Sequence, residues 1–229
     1  GIKGMLQLLE RDLEHSGLET EPAKMMFSEI ERIERLLKQL LMHSHPMPIK
    51  SQSFSLHELL DTVLSFERSS HPGLRFTAYY DASLPDIEAD RDKLHQVFLN
   101  LVRNASEACP ADGRVRVLTR HCAHWELAGT NLDPTRRYIL VNIEDEGPGI
   151  PEELRKNIFK PLFSTKKQGT GLGLSISFRL VESHDGQLRY QPSERSGACF
   201  QVILPESQSE PLEENSPNFV YQDLRKEIS

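Results

Sequence analysis

Three stretches of this chain combine side chains and glycines in patterns suited to an anionic ligand with a flat base. In Gln96-Val97-Phe98-Leu99-Asn100-Leu101-Val102-Arg103-Asn104-Ala105, the residues Gln96, Asn100 and Asn104 fall at i, i+4 and i+8 on one helical face. Amide oxygens are hard donors that suit Mg²⁺. Three carboxamides in line make poor core material unless something polar lies beside them. Read alone, the row fits a solvent-facing helix side slightly better than a site. Arg103 on the same helix is long enough to reach a phosphate. In Ile143-Glu144-Asp145-Glu146-Gly147-Pro148-Gly149-Ile150 a strand ends in an acid and turns at two glycines. Such a carboxylate can accept from an exocyclic amine, and Gly147 and Gly149 let backbone approach a ring closely. Alone this is a weak signal, because strand–turn junctions often read this way. In Lys166-Lys167-Gln168-Gly169-Thr170-Gly171-Leu172-Gly173-Leu174-Ser175, glycines at spacing two lead into a helix. Backbone N–H groups at a helix start form an anion cradle. The spacing is neither that of a Walker A loop nor that of a Rossmann fingerprint. Alone it also fits a flexible loop with a helix cap.

These residues must be positioned by a chain of 229 residues carrying 27 Lys and Arg against 34 Asp and Glu, a formal charge of −7. The length allows one large domain or two small ones, and 38% hydrophobic residues can supply a core. The acidic balance argues against direct nucleic-acid binding. No apolar run reaches the ~18 residues of a membrane span. Cys109, Cys122 and Cys199 form no CxxC pair and read as reduced thiols, which fits a cytoplasmic setting. His43 and His45, at i, i+2, share no helical face and read as part of a solvated linker rather than a metal site. The chain does not begin with Met and reads as a piece of something longer.

Residues 1–48 read as a helical hairpin. Met26, Ile30, Ile33, Leu37 and Leu40 form a heptad-like seam, and the turn lies around Gly17 and Pro22. A seam on two helices needs a partner surface. Pairing with a second copy into a four-helix bundle is the favoured solution, and packing on the rest of the chain is the other. Pro46 and Pro48 mark the domain boundary. In residues 49–205, helices are expected from Leu56 to Phe66, from Asp90 as cap to Ala108, and from about Gly171 to Ser183. Strands are expected at Leu74–Tyr80, Leu84–Glu88, Arg114–Arg120, Tyr138–Asp145, Gly186–Tyr190 and Ala198–Leu204, the last two as a hairpin around Arg195-Ser196-Gly197, with a polar excursion containing Gly129, Asn131 and Pro134 between Arg120 and Tyr138. The fold class is therefore α+β, a two-layer α/β sandwich with a mixed sheet covered by helices on one face. Residues 206–229 read as an acidic tail.

Order adds specificity. Asn100-Leu-Val-Arg-Asn104-Ala resembles the N box of the sensor histidine kinases of two-component systems, within the superfamily that also holds the heat-shock chaperone, gyrase and mismatch-repair ATPases. Asp145-Glu-Gly147-Pro-Gly149 resembles its first glycine box, Ile158-Phe159-Lys160-Pro161-Leu162-Phe163-Ser164-Thr165 its F box, and Gly169-Thr170-Gly171-Leu172-Gly173-Leu174 its second glycine box. The hairpin resembles the dimerisation and phosphotransfer domain, and the wording is closest to the nitrogen-regulation (NtrB-type) group.

The resemblance implies ATP and Mg²⁺ as cofactors. It implies that Asp145 binds the adenine amine, that Asn104 coordinates Mg²⁺ with Asn100 beside it, and that Lys166 acts with them in catalysis. Gly147 and Gly149 would shape the adenine pocket. Gly169, Gly171, Leu172 and Gly173 would accommodate the phosphates, with Thr165, Lys166 and Thr170 as phosphate contacts. Residues 151–168 would form a lid anchored by Phe159 and Phe163. The family's acceptor histidine would precede Gly1, and none of the nine histidines here has its context, so this chain alone is expected not to autophosphorylate. The implied partners are a second copy through the hairpin and the receiver domain of a response regulator. Membrane attachment, if any, would come through parts outside this chain. The alternatives are another ATPase of the superfamily, which tends to carry Glu where this chain has Asn100, and a catalytically incomplete nucleotide-binding scaffold.

Overall fold

The computed structural model describes residues 49–166, 170–193 and 197–207; the expected hairpin, its four-helix bundle and all of the expected tail beyond Ser207 lie outside them. The element order is β1 (Gln52–Phe54), α1 (Leu56–Ser70), β2 (Arg75–Tyr80), β3 (Ile87–Ala89), α2 (Arg91–Ala108), β4 (Arg114–His121), a 3₁₀ turn (His124–Leu127), β5 (Tyr138–Asp145), α3 (Glu152–Arg155), α4 (Gly173–Glu182), β6 (Gln187–Pro192) and β7 (Ala198–Pro205). Five strands form one mixed sheet in the order β2-β4-β5-β7-β6. β2 runs parallel to β4 and the other pairings are antiparallel.

Periodicity explains the helical layer. In α1 the buried positions are Leu56, Leu59, Leu60, Val63, Leu64 and Glu67, one stripe at helical spacing. In α2, Leu94, Val97, Phe98, Leu101, Val102 and Ala105 are buried. They meet the inward residues of the sheet, among them Val117, Ile143, Phe200 and Val202, in one core. Val97, Leu101 and Ala105, at i, i+4 and i+8 beside the carboxamide row, thus lie on the core face of this helix.

Glu67 ends the α1 stripe with a carboxylate that is wholly buried. A buried charge needs partners. Arg103 Nε on α2 lies 3.3 Å from one of its oxygens and His71 Nδ1 3.1 Å from the other. Arg103 also lies over the Phe66 ring, 6.0 Å from its centroid. The side chain expected to reach a phosphate is thus committed to bracing α1 on α2. Its partner sits 36 residues away, beyond the reach of local pattern.

Two features escaped the sequence pattern. β1 is three residues long and pairs antiparallel with β3, Phe54 opposite Ile87. The excursion from residue 122 to 137 covers part of the second sheet face, where Leu127, Tyr138, Leu140 and Ile203 form a small separate core. Glu126 fastens it: its carboxylate accepts from Arg120 Nη1 at 2.6 Å, from Arg120 Nη2 at 2.7 Å and from the Ala123 N–H at 3.0 Å. These hydrogen bonds, the Arg120 guanidinium first, hold the Glu126 carboxyl below the usual carboxylate range despite burial.

Asp90 sets the start of α2. It caps the helix by accepting from the Lys93 N–H at 3.2 Å, and its other oxygen accepts from the Lys50 N–H at 3.0 Å. The Asp90 N–H donates to His184 Nε2 at 3.0 Å, tying the end of α4 to the same corner. Burial works to raise the Asp90 carboxyl, but these N–H donors and the Lys93 ammonium outweigh it and hold it below the ordinary range. A depressed carboxyl stabilises the fold above its unfolded value and loses that contribution as pH falls through its folded value. Asp90→Ala is expected to cost about 1–2 kcal/mol near neutral pH. In urea titrations the gap to the parent chain is expected to narrow as pH falls below the ordinary aspartate range; a gap independent of pH would contradict the capping account.

Candidate active site

Four segments converge at one end of the sheet. The first is the end of β5, where strand alternation sends Asp145 to the helix-covered face. Its side chain is 2% exposed. Oδ1 accepts from the Gly147 N–H at 2.8 Å and from the Ala198 N–H at 3.1 Å. Both bonds fall on one oxygen. Burial raises the carboxyl above its usual range, and the two N–H donors oppose that rise. An acceptor half-satisfied by backbone and removed from water is suited to an amine donor of a ligand.

The second segment is the glycine turn after Asp145. A Cβ on Gly147 would lie 2.7 Å from the Ala108 carbonyl oxygen and 2.9 Å from Asp145 Oδ1. The turn therefore seats directly on the C-terminal end of α2. Gly149 follows at φ 74°. Gly197, which the sequence showed only as a hairpin turn, belongs here too. It has φ 89°, and a Cβ there would overlap the Asp145 carbonyl oxygen. Close approach of Gly197 accompanies delivery of the Ala198 N–H to the carboxylate. The signal was a glycine immediately before a strand, with no local hint of its distant neighbour.

The third segment is α2. Gln96 is exposed, while Asn100 and Asn104 are half-buried. Asn100 Nδ2 donates to Ser177 Oγ on α4 at 2.9 Å, and its Oδ1 sits where a Cβ on Gly173 would be. Gly173 is needed here for close approach of α2 and α4. Asn104 Oδ1 accepts from Lys166 Nζ at 3.4 Å, and the same ammonium pairs with Glu107. Two of the expected residues, Asn104 and Lys166, are thus brought together. Glu107, at i+3 from Asn104 and on the same side of the helix, is an addition that the sequence reading passed over.

The fourth segment runs from the F box into α4. Ile158 is buried, and Phe159 packs against Phe178 and Phe200 with centroids 5.2 and 6.5 Å apart. Phe163 packs at the edge of the core. Leu162 has φ 64°, and its carbonyl lies where a Cβ on Gly171 would stand. Thr165, Lys166 and Thr170 are exposed, and Thr170 Oγ1 accepts from the Leu172 N–H at 3.4 Å. Leu172 is wholly buried, so its side chain serves the core and only its backbone is available to the site. α1 and α2 begin with side-chain caps from Ser55 and Asp90, whereas no side chain caps α4. An uncapped helix start facing a glycine loop suits an anion. Lys167 and Gly169 lie outside the described residues.

Residues 89–208 match the family model described as histidine kinase-, DNA gyrase B-, and HSP90-like ATPase. The chain belongs to this ATPase family. Among curated proteins it is similar to the sensory histidine kinase/phosphatase NtrB of Azospirillum brasilense, with 34% identity over 208 residues, covering 90% of this chain and 51% of that protein. It is also similar to the sporulation kinase C of Bacillus subtilis, with 34% identity over 183 residues, covering 79% of this chain and 40% of that one. The chain therefore spans about half the length, or less, of these relatives. Among solved structures, the catalytic domain of histidine kinase ThkA aligns with TM-score 0.59 and 30% identity, covering 69% of this chain and 97% of that one. The ThkA complex with the response regulator protein TrrA aligns with TM-score 0.61 and 27% identity, covering 89% of this chain and 57% of that one. The five-stranded sheet and its helices thus form a domain of this ATPase family with the fold of a histidine kinase catalytic domain. Among the described residues no helix is long and apolar enough to cross a membrane.

The Gly197 contact gives a specific expectation for this ATPase domain. Gly197→Ala places a Cβ against the Asp145 carbonyl at a backbone angle that alanine avoids. Nucleotide affinity measured by calorimetry is expected to fall roughly tenfold or more, with a loss of stability of about 1–3 kcal/mol. Unchanged affinity in a folded variant would show that the Gly197 turn does not support Asp145.

Proposed function

We propose that residues 49–205 bind ATP with Mg²⁺ and direct its γ-phosphate to a histidine side chain. Residues 1–48 would belong to a dimerising hairpin and residues 206–229 to a tail. The observation that carries this reading is Asp145, a buried carboxylate bonded by two backbone N–H groups through one oxygen only, at the rim of a glycine turn. The remaining capacity of that carboxylate matches the amine of adenine. The flat surface needed beside it is supplied where Gly147 and Gly149 keep side chains away.

The Mg²⁺ assignment fits the donors present. Asn104 offers a hard amide oxygen with the Glu107 carboxylate one turn along, and a cation, the Lys166 ammonium, already sits against both. When bound, Mg²⁺ would neutralise charge on the phosphates. Asn104 would hold the metal side of the phosphate chain. Lys166, released from Glu107, would reach a phosphate oxygen, as would backbone N–H groups at the start of α4, with Thr165 and Thr170 beside them and Gly169, Gly171 and Gly173 giving them room. Phosphoryl transfer needs chiefly such positioning and charge neutralisation. Asn100 is bonded to Ser177. Any metal contact it makes would come through Oδ1. A carboxamide there does not act as a base for water, which supports transfer to a side chain over simple ATP hydrolysis. Residues 151–168 would cover the nucleotide, pivoting on the half-buried Phe159.

In this proposal the acceptor histidine is supplied outside the described domain, and the phosphoryl group passes on to the receiver domain of a response regulator. The ThkA–TrrA complex and the NtrB-type relatives support that partner class. A homodimer through the hairpin and a cytoplasmic site of action follow from the same kinship, with no role for nucleic acid as a direct ligand.

Two variants test the reading. Asp145→Asn is expected to weaken ATP about 10- to 100-fold, the scale of a lost charge-assisted hydrogen bond. Asn104→Asp is expected to alter the Mg²⁺ dependence of turnover. Because burial raises the Asp145 carboxyl, acidification should protonate it at a pH above the ordinary aspartate range. ATP affinity of the parent chain should therefore fall as pH drops into that window, and Asp145→Asn should abolish the dependence. Unchanged ATP affinity in Asp145→Asn would remove the adenine assignment.

A further inference from the structure

β5 ends in three acids, Glu144-Asp145-Glu146. Alternation turns Asp145 to the helix-covered face and Glu144 and Glu146 to the opposite one. On that opposite face one side chain meets both glutamates. Arg116 of β4 stands in register with Glu144. Its Nε donates to Glu144 Oε2 at 3.1 Å and its Nη1 to Glu146 Oε1 at 3.2 Å. The Arg116 side chain is only 6% exposed. This is an enclosed contact rather than a surface pair.

Geometry gives the contact a consequence. The last residue pair of the β4–β5 ladder is Val115 with Asp145, so Glu146 lies beyond the ladder. A guanidinium is a rigid planar fork whose donors keep a fixed spread. Holding Glu144 and Glu146 on one such fork keeps the backbone extended across the residue between them. It also offsets the repulsion of two carboxylates roughly 7 Å apart along a strand. The two N–H groups that hold Asp145 Oδ1 act from the other face. Asp145 is thereby restrained from both sides of the sheet.

We propose that Arg116 is a positioning residue for base recognition: by bridging Glu144 and Glu146 it fixes the direction in which the Asp145 carboxylate meets the 6-amino group of adenine. This rests on the reading of Asp145 as the adenine acceptor. It predicts a dependence on the amine alone, which general support of the fold would not produce.

Calorimetric titration of the full chain with ATP and with purine riboside 5′-triphosphate, which lacks the 6-amino group, separates the two roles. The parent chain is expected to prefer ATP by roughly tenfold or more. In Arg116→Gln, ATP is expected to weaken about 5- to 10-fold while the des-amino nucleotide changes less than about 2-fold, so that the preference collapses. Arg116→Lys keeps the charge but not the fork, and is expected to restore only part of it. Glu146→Gln, which leaves the Arg116–Glu144 pair in place, serves if Arg116→Gln does not fold, with the same collapse expected at about 2- to 4-fold. Equal weakening of both nucleotides, or an intact preference in a folded variant, overturns the role of Arg116. A parent chain that shows no preference for ATP removes instead the assignment of Asp145 on which this one rests.

Discussion

A carboxylate with almost no solvent contact is costly to keep charged, and the site is organised around meeting that demand at Asp145. Three separate parts of the fold answer it. The antiparallel pairing of β5 with β7 brings the Ala198 N–H alongside. The Gly147 turn folds its own N–H back onto the same oxygen, and can do so only because nothing beyond a hydrogen projects toward the Ala108 carbonyl. Gly197, lacking a Cβ, itself lies close against the Asp145 backbone. Each of these would be unremarked in isolation. Together they leave a buried acceptor with spare capacity at the mouth of a glycine-lined turn.

The phosphate side depends on charge rather than on burial. The whole chain is acidic, yet the ammonium of Lys166 sits on α2 against Asn104 and Glu107. The formal charge of −7 therefore says little about the ligand. What matters is that one cation is held by a weak, exposed pair that an incoming metal and phosphate can replace, since exposed ion pairs contribute on the order of 1 kcal/mol or less. Arg103, by contrast, is tied to a wholly buried glutamate and braces the scaffold. Two basic side chains on or beside the same helix thus have different duties because their partners differ in burial.

Most of the architecture was legible in the sequence, because helical and strand periods report which face is buried. The stripe of α1, the core face of α2 and the strand from Tyr138 to Asp145 all read directly, and so did the Asp90 cap. What was not legible is non-local. β1 is too short to carry a period and exists through its pairing with β3. Residues 122–137 read as a polar excursion because half of them are polar and glycine and proline interrupt the rest, while their function as a cover rests on Leu127 and the Arg120–Glu126 pair. The candidate site followed the same rule. Asn104, Asp145 and Lys166 were singled out by the order of the motifs and the family that they resemble. Gly197, Arg116 and Glu107 were not, since each gains meaning only from a neighbour brought by the fold. Leu172 lay inside the motif but turned its side chain to the core.

The central claim is that this geometry recognises adenine through Asp145 and the triphosphate through Asn104 and Lys166. The most direct measurement is the crystal structure of the chain with a non-hydrolysable ATP analogue and Mg²⁺. The account predicts the 6-amino nitrogen within hydrogen-bond distance of the Asp145 carboxylate, the metal on Asn104 Oδ1, and Lys166 moved from Glu107 to a phosphate oxygen. An analogue bound with its base away from Asp145, or with Lys166 still paired to Glu107, would contradict it.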